Sequence, residues 1–450
     1  MSDEPLIKVT YGPVRLVTAE EEAQRKPVPM WHRILYVLTV PVRRIGDILI
    51  FLRTLVVNLT VISVVVALVA LTGIELRRNP VIIEEIGLPP QLTARGLSGT
   101  VAAHRLWDAI TDIQTISGTF KDQASLTTIG RQIDVVDPDT GLSLQGLTQM
   151  LRTLLGLPQT RIAGEVVCET ARCDWAGLRL RLRIFAPEGM EVRNVGLVGG
   201  HSPGDYFHRA AMETMKVIDP YTLAVFHKNK DTSDRSAASR LARDLIARGH
   251  PQRAWAANLL GILSADSGDR DAAIQWYQKS IAFSDADGLD DFALPWSNWG
   301  NVLGDLEHEY DAIGKFRQAI EIDPLYAPAW AGMGHALAIL ERYEEAVESL
   351  ERATAIDPQF ALAWYRWGKA LSDLERPAEA TEKFRRATEI DPDYALAWYH
   401  SGSALEKIGR HPEARASFRR AMEIDPEIAS ANRKRMPSEG FGGNFGGVFR

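Results

Sequence analysis

One arrangement of apolar and polar positions recurs every 34 residues in the second half of the chain. Four units, called repeats 1 to 4, follow one another without a gap at 293–326, 327–360, 361–394 and 395–428. Each has Trp at position 4, Gly at position 8, Ala at positions 20 and 27, Phe or Leu at position 24, and Pro at position 32. A more degenerate unit precedes them at 254–287. A fixed internal period of this length predicts an array of stacked repeats.

The apolar positions within one repeat predict two helices that pack against each other. In repeat 3, two sets of residues recur at helical spacing, and their small members allow the helices to approach closely while the aromatic members fill the space beside them. The first set is Trp364, Trp367, Gly368 and Leu371, and the second is Ala380, Phe384 and Ala387. Ile-Asp-Pro closes each repeat, and proline cannot continue a helix.

This pattern resembles the tetratricopeptide repeat (TPR). The resemblance implies a mostly α fold, namely a right-handed α-solenoid with a concave groove. We expect degenerate helical repeats over 206–253, with two helices in 206–248. The array itself is predicted over 254–435, with 429–435 as the start of a capping helix, and a disordered Gly-rich tail follows over 436–450.

In TPR folds the first helix of each repeat lines the concave groove, so the resemblance also implies a binding site for a protein or peptide. Arg366 and Lys369 would pair with a carboxylate of the ligand, and Asn side chains would hydrogen-bond its backbone. The alternative is that each is an ordinary solvated residue. The candidate groove residues are Asn298, Asn301, His335, Tyr365, Arg366, Lys369, Tyr399 and His400.

Some TPR proteins grip acidic C-terminal peptides with a carboxylate clamp of Lys, Asn and Arg. Asn301 and Lys369 occupy clamp-like positions in this chain. However, Ser297 stands where a Lys is expected and Asp373 where an Arg is expected. The sequence therefore departs from the clamp pattern.

The segment 80–205 carries neither repeats nor a long apolar run, and its patterns predict a small α+β domain. One amphipathic helix should bury Val101, Leu106, Ala109, Ile110 and Ile113. A β-hairpin should follow, because apolar residues alternate with Arg along 178–184. The arrangement is similar to extracytoplasmic regions of bacterial membrane-anchored TPR proteins.

Residues 54–74 contain no charge and are long enough to cross a bilayer as a helix. More Arg precedes this stretch than follows it, which places residues 1–53 in the cytoplasm and the repeats in the periplasm of a bacterial inner membrane. The alternatives are a cleaved signal peptide, or the inverted topology with a cytoplasmic scaffold. Residues 31–53 form either an interfacial helix or an extension of the anchor.

Cys168 and Cys173 are the two cysteines of the chain, and they flank a predicted hairpin tip. A disulfide between them would fit an oxidising periplasm. They could instead be free thiols, or zinc ligands together with His201 and His208, although this spacing matches no common zinc module.

Composition and charge exclude several function classes. The chain has a net charge of -7, without the basic character of a nucleic-acid-binding protein.

The sequence 200–204 has the form G-x-S-x-G of a hydrolase nucleophile, but Pro203 lacks the N–H that the oxyanion hole needs. Ser202 is more simply a helix N-cap.

We therefore expect a non-enzymatic scaffold without a cofactor or metal, and the sequence leaves homo-oligomer formation open. The alternative is an adaptor or regulatory subunit whose middle domain has a catalytic or sensing role.

Overall fold

The computed structural model divides the chain into two compact units. One comprises residues 79–133 and 158–450, and the other comprises residues 1–78 and 134–157. The described residues are 80–118, 126–128, 151–168 except 153 and 158, 177–186, 189–196, 202–230 and 234–428, with six residues between 58 and 66.

A five-stranded sheet lies in the first of these units, in the order β2-β1-β3-β4-β5. Strand β1 pairs in parallel with both β2 and β3, whereas β3, β4 and β5 are antiparallel. The predicted hairpin is present, with Arg161 opposite Phe185 and Cys168 opposite Leu178. The strands are β1 (Val81–Gly87), β2 (Leu126–Thr128), β3 (Thr160–Cys168), β4 (Leu178–Ala186) and β5 (Gly189–Gly196).

Alternation along β4 separates the two faces of the sheet, because successive side chains of a strand point in opposite directions. Its leucines and Ile184 are buried, while Arg181 and Arg183 lie on the other face. There they form ion pairs with Glu165 at 3.3 and 2.8 Å. The buried face therefore belongs to the hydrophobic core of this domain.

Helices α1 (Pro90–Thr93) and α2 (Gly99–Ser117) follow β1. Ser98 caps α2 by accepting a hydrogen bond from the Val101 N–H at 3.1 Å. Four of the five predicted apolar residues are buried in the core, but Val101 is 39% exposed. Val101 lies in the first turn of α2 and does not belong to this core, so its predicted place on the buried side was wrong.

Three helices occupy the region where the sequence predicted two: α3 (Pro203–Ile218), α4 (Pro220–Lys230) and α5 (Arg235–Ala247). Ser202 caps α3, as predicted, and Pro203 takes one of its first positions. Tyr206 and Phe207 are buried in the same core as the sheet residues. Thus α3 belongs structurally with the sheet domain.

The remaining helices form antiparallel pairs at the predicted period. Repeats 1 to 4 correspond to α8/α9, α10/α11, α12/α13 and α14/α15, and the degenerate unit corresponds to α6/α7. The helices are α6 (Arg253–Asp266), α7 (Arg270–Asp287), α8 (Leu294–Asp305), α9 (Glu309–Ile322), α10 (Ala327–Ile339), α11 (Tyr343–Ile356), α12 (Ala361–Asp373), α13 (Pro377–Ile390), α14 (Ala395–Lys407) and α15 (His411–Ile424).

The same contacts join successive repeats. The indole Nε1 of Trp330, Trp364 and Trp398 donates a hydrogen bond, each at 3.0 Å, to the carbonyl of the proline that closes the preceding repeat. Within a repeat, the glycine at position 8 faces the aromatic or Leu side chain at position 24. A Cβ on Gly368 would lie 2.7 Å from the Phe384 ring, so this glycine is required by close packing.

Several predicted segments lie outside the described residues, including the interfacial helix, the capping helix, the Gly-rich tail and most of the predicted span 54–74. The residues described between 58 and 66 are helical. Within the described ranges, no helix combines the length and the apolar character needed to cross a membrane.

Candidate functional site

The first helices of repeats 1 to 3 enclose a cavity of about 330 Å³. Three of the predicted groove residues line it: Asn301 from α8, His335 from α10 and Arg366 from α12. They come from three different repeats, so stacking brings them together although 65 positions separate the outermost two. The remainder of the lining is mostly apolar, but it includes the acidic residue Asp305 at the end of α8.

Arg366 is the cation of this cavity. Its guanidinium is half-buried, and Nη1 donates a hydrogen bond to the Ala331 carbonyl at 3.2 Å. Within the described residues it forms no ion pair with a carboxylate. Burial lowers the pKa of the guanidinium, but an arginine stays charged at neutral pH. Arg366 therefore presents a positive charge without an ion pair among the described residues, although Asp305 lines the same cavity.

His335 lies beside this charge. Its side chain is exposed to the groove, but the surrounding walls withdraw it partly from bulk water. This burial, followed by the charges of Arg366 and Lys369, lowers the pKa of His335 to about 4. The imidazole is thus neutral at pH 7 and can either donate or accept a hydrogen bond.

Lys369 has a different environment from Arg366. Its Nζ lies 2.7 Å from Asp373 Oδ2, one turn further along α12. Asp373 therefore offsets the charge that was predicted to meet a ligand carboxylate. Ser297, the other departure from the clamp pattern, is 1% exposed. The structure thus gives a physical account of both departures.

An aromatic cluster adjoins the cavity in repeats 3 and 4. The Tyr365 ring centroid lies 5.1 Å from that of Tyr394 and 5.6 Å from that of His400. Burial, followed by the neighbouring Tyr365, raises the pKa of Tyr394 to about 12. Tyr394 closes repeat 3 and was not among the predicted groove residues. With a pKa of about 12, the Tyr394 hydroxyl is protonated at neutral pH and can donate a hydrogen bond.

Tyr399 takes a position that the sequence did not predict. It is 3% exposed, and its ring meets Phe418 edge-on at 5.4 Å between centroids. It contributes to the hydrophobic core of repeat 4 and leaves almost no surface for a ligand.

Asn298 is held by a residue that the sequence analysis missed. Its Nδ2 donates to Asn258 Oδ1 at 2.9 Å, and Asn258 is completely buried. The Nδ2 of Asn258 has no hydrogen-bond partner among the described residues. This contact fixes the Asn298 amide and leaves its Oδ1 for other partners. Asn258 occupies position 5 of the degenerate unit. An alignment of that unit with repeats 1 to 4 would therefore have identified it as a groove position.

Family models for the tetratricopeptide repeat match residues 231–288 and 365–427, and a related TPR model matches 334–374. These segments are tetratricopeptide repeats. The described part of the chain is mostly helical and combines these repeats with a small strand-containing region. No curated protein sequence matches it significantly.

Solved TPR structures resemble part of the chain. A MamA structure is 26% identical over 38% of this chain and 97% of that protein, with a TM-score of 0.33. YrrB, described as a TPR protein with an unusual peptide-binding site, is 21% identical over 43% of this chain and 98% of that protein, with a TM-score of 0.34. A thermophilic TPR protein in Thermus thermophilus is 17% identical over 40% of this chain and 96% of that protein, with a TM-score of 0.35.

The other candidate sites were also located where the structure describes them. Ser202 Oγ donates to Asp205 Oδ2 at 2.7 Å while it caps α3, so its hydroxyl is engaged in the cap. No group of three His, Cys, Asp or Glu among the described residues is arranged to hold a metal ion. Cys168 is disulfide-bonded, but Cys173 lies outside the described residues. The Cys168–Cys173 pair therefore stays a prediction.

Proposed function

We propose that this chain is a membrane-anchored TPR scaffold that binds an acidic segment of a protein partner in its concave groove, in the periplasm. The observation that carries the binding role is Arg366. A half-buried guanidinium without a carboxylate partner among the described residues favours an anionic ligand, because a charge-assisted hydrogen bond is stronger in a partly desolvated groove. Asn301 and the neutral His335 then supply hydrogen bonds on the same cavity wall.

The membrane part of the proposal has two supports. The described residues between 58 and 66 are helical, and their apolar side chains Leu59, Ile62 and Val66 are 54–60% exposed. Such a surface suits a lipid environment. The disulfide at Cys168 suits an oxidising compartment, as the periplasm is.

Binding is tested with the full chain in detergent and a pool of synthetic dodecapeptides of random sequence. The retained peptides should be enriched in Asp and Glu, and Arg366→Gln should weaken them about ten- to hundredfold, as expected for a hydrogen bond to a charged group. Arg376→Gln is the matched control, since Arg376 is exposed at the start of α13 and pairs with Glu379 at 2.7 Å. Equal affinity for wild type and Arg366→Gln would refute the role of Arg366.

The topology is tested separately by C-terminal fusions. Active alkaline phosphatase together with a dark cytoplasmic fluorophore supports the periplasmic placement. A bright fluorophore with inactive phosphatase refutes it and places the scaffold in the cytoplasm.

A further inference from the structure

A cavity of about 330 Å³ lies beside Arg366, where one groove position of repeat 1 and one of repeat 2 are glycine. Position 6 is Asn298, Arg366 and His400 in repeats 1, 3 and 4, but Gly332 in repeat 2. At position 12, repeat 1 has Gly304 where repeats 2 to 4 have larger residues. Both glycines line the cavity, so the space is peculiar to the junction of repeats 1 and 2.

The two glycines are there for different physical reasons. A Cβ on Gly332 would lie 2.4 Å from the Phe316 ring, so close packing excludes a side chain at that position. A Cβ on Gly304 would meet no atom within 4 Å, and its backbone is helical. Glycine within a helix is less favourable than Ala by about 0.5–1 kcal/mol. Packing does not require Gly304, and its effect is to keep the cavity open.

Apart from the polar residues Asn301, Asp305, His335 and Arg366, the cavity walls are apolar and partly aromatic. Phe316 and Phe360 contribute rings, while Pro328, Ile339 and Leu362 contribute aliphatic surface. Ile339 is 49% exposed, so this surface is not covered by the fold itself. A volume of about 330 Å³ lies at the lower end of ligand sites, which suits a single side chain rather than a longer segment.

We infer that this cavity accepts one aromatic side chain of the bound segment, adjacent to the acidic residue that meets Arg366. The inference rests on the proposed function and narrows its ligand to acidic segments that carry an aromatic residue. Aromatic side chains fit because a ring pair with the half-buried Phe360 adds favourable edge or offset contacts to the burial of apolar area.

The test uses two synthetic octapeptides and the full chain in detergent. Each peptide has three Glu and four Gly or Ser around one central residue, which is Phe in one peptide and Ala in the other. Wild type should bind the Phe peptide about ten- to hundredfold more tightly, because a buried Phe side chain replaces a methyl group. Binding is measured by isothermal titration.

Gly304→Leu fills the cavity from its open side and should reduce the ratio of the two affinities to about one. Gly314→Leu is the matched control, because Gly314 also lies in a helix, has no atom within 4 Å of an added Cβ, and does not line the cavity. It should leave the ratio unchanged. A graded series of Ala, Val and Leu at 304, with thermal unfolding of each variant, separates cavity filling from misfolding.

The outcomes distinguish this inference from the proposed function. Arg366→Gln should weaken both peptides equally and preserve their ratio. Equal affinities of wild type for the two peptides, or an unchanged ratio in Gly304→Leu, would overturn the aromatic pocket while leaving the acidic groove intact. If neither peptide binds at millimolar concentration, both the pocket and the acidic groove are refuted.

Discussion

The close contact between Gly368 and Phe384 makes a quantitative prediction about repeat 3. An added Cβ at Gly368 would lie 2.7 to 3.0 Å from three ring atoms of Phe384. Phe384 is fully buried, so its ring cannot swing away into solvent. Gly368→Ala therefore forces α12 and α13 apart. Overpacking of this kind costs about 1–3 kcal/mol.

A second helical glycine isolates this steric cost. Gly314 lies within α9, and a Cβ there meets nothing within 4 Å. Gly314→Ala should therefore stabilise its helix by about 0.5–1 kcal/mol through the lower conformational entropy of the unfolded chain. Because Gly368→Ala gains the same helix propensity, the difference between the two variants is the packing term alone, about 1–3 kcal/mol.

Native-state hydrogen exchange is the suitable assay, because a repeat array unfolds in parts and a single midpoint would average them. The opening free energy of amides in α12 and α13 should fall in Gly368→Ala, and that of amides in α9 should rise in Gly314→Ala. Equal protection in the two variants would show that the ring of Phe384 moves freely, and the account of the glycine at position 8 would be wrong.

The remaining predictions concern the left-handed backbone at position 15 of the repeats and the titration of His335. By native-state hydrogen exchange, Glu341→Gly should stabilise repeat 2 by about 0.5–1 kcal/mol, because Glu341 has a φ of 59° and a left-handed backbone disfavours a Cβ. Gly409→Ala, at the equivalent position with a φ of 78°, should destabilise repeat 4. His335 should titrate near pH 4 by NMR, and Arg366→Gln should move its midpoint toward the ordinary value of about 6.5. Since the pKa of His335 is lower in the folded state than in the unfolded chain, its neutral form contributes to the free energy of unfolding. This contribution is fully present above about pH 6.5 and is lost as the pH falls toward 4. An unchanged midpoint in Arg366→Gln would contradict the contribution of the Arg366 charge to this shift.

The repeats could be predicted from the sequence because each positional requirement appears several times in register. Gly368 and Phe384 contact each other in the structure, and the same pair of positions recurs in the other repeats. The parallel strands could not be predicted in this way. The segment of β1 is short, and its pairing shifts register between Ile83 and Ile86. Its partners lie far along the chain, so no local pattern reveals them.

The groove was predictable in its location but not in its charges. Arg366 and Lys369 both belong to α12 and read alike as cations in the sequence. The Lys369–Asp373 pair could have been recognised from its spacing of four residues, which places both side chains on one helix face. The burial of Tyr399 and the support of Asn298 by Asn258 depend on how neighbouring helices stack, which the spacing within one repeat does not determine.

Ion pairing and burial together distinguish Arg366 from the other arginines of the repeats. The second helices of repeats 2, 3 and 4 begin with the same exposed pair three residues apart: Arg342 with Glu345, Arg376 with Glu379, and Arg410 with Glu413. Exposed pairs of this kind contribute little to stability, about 0–1 kcal/mol, but each compensates its own charges. Arg366 lies on a first helix and, in the described part of the chain, makes only a backbone hydrogen bond. Other second-helix arginines, such as Arg317 and Arg352, also form no ion pair among the described residues, but they are exposed to water. Arg366 is half-buried in the groove, where a negative ligand would gain most from its charge.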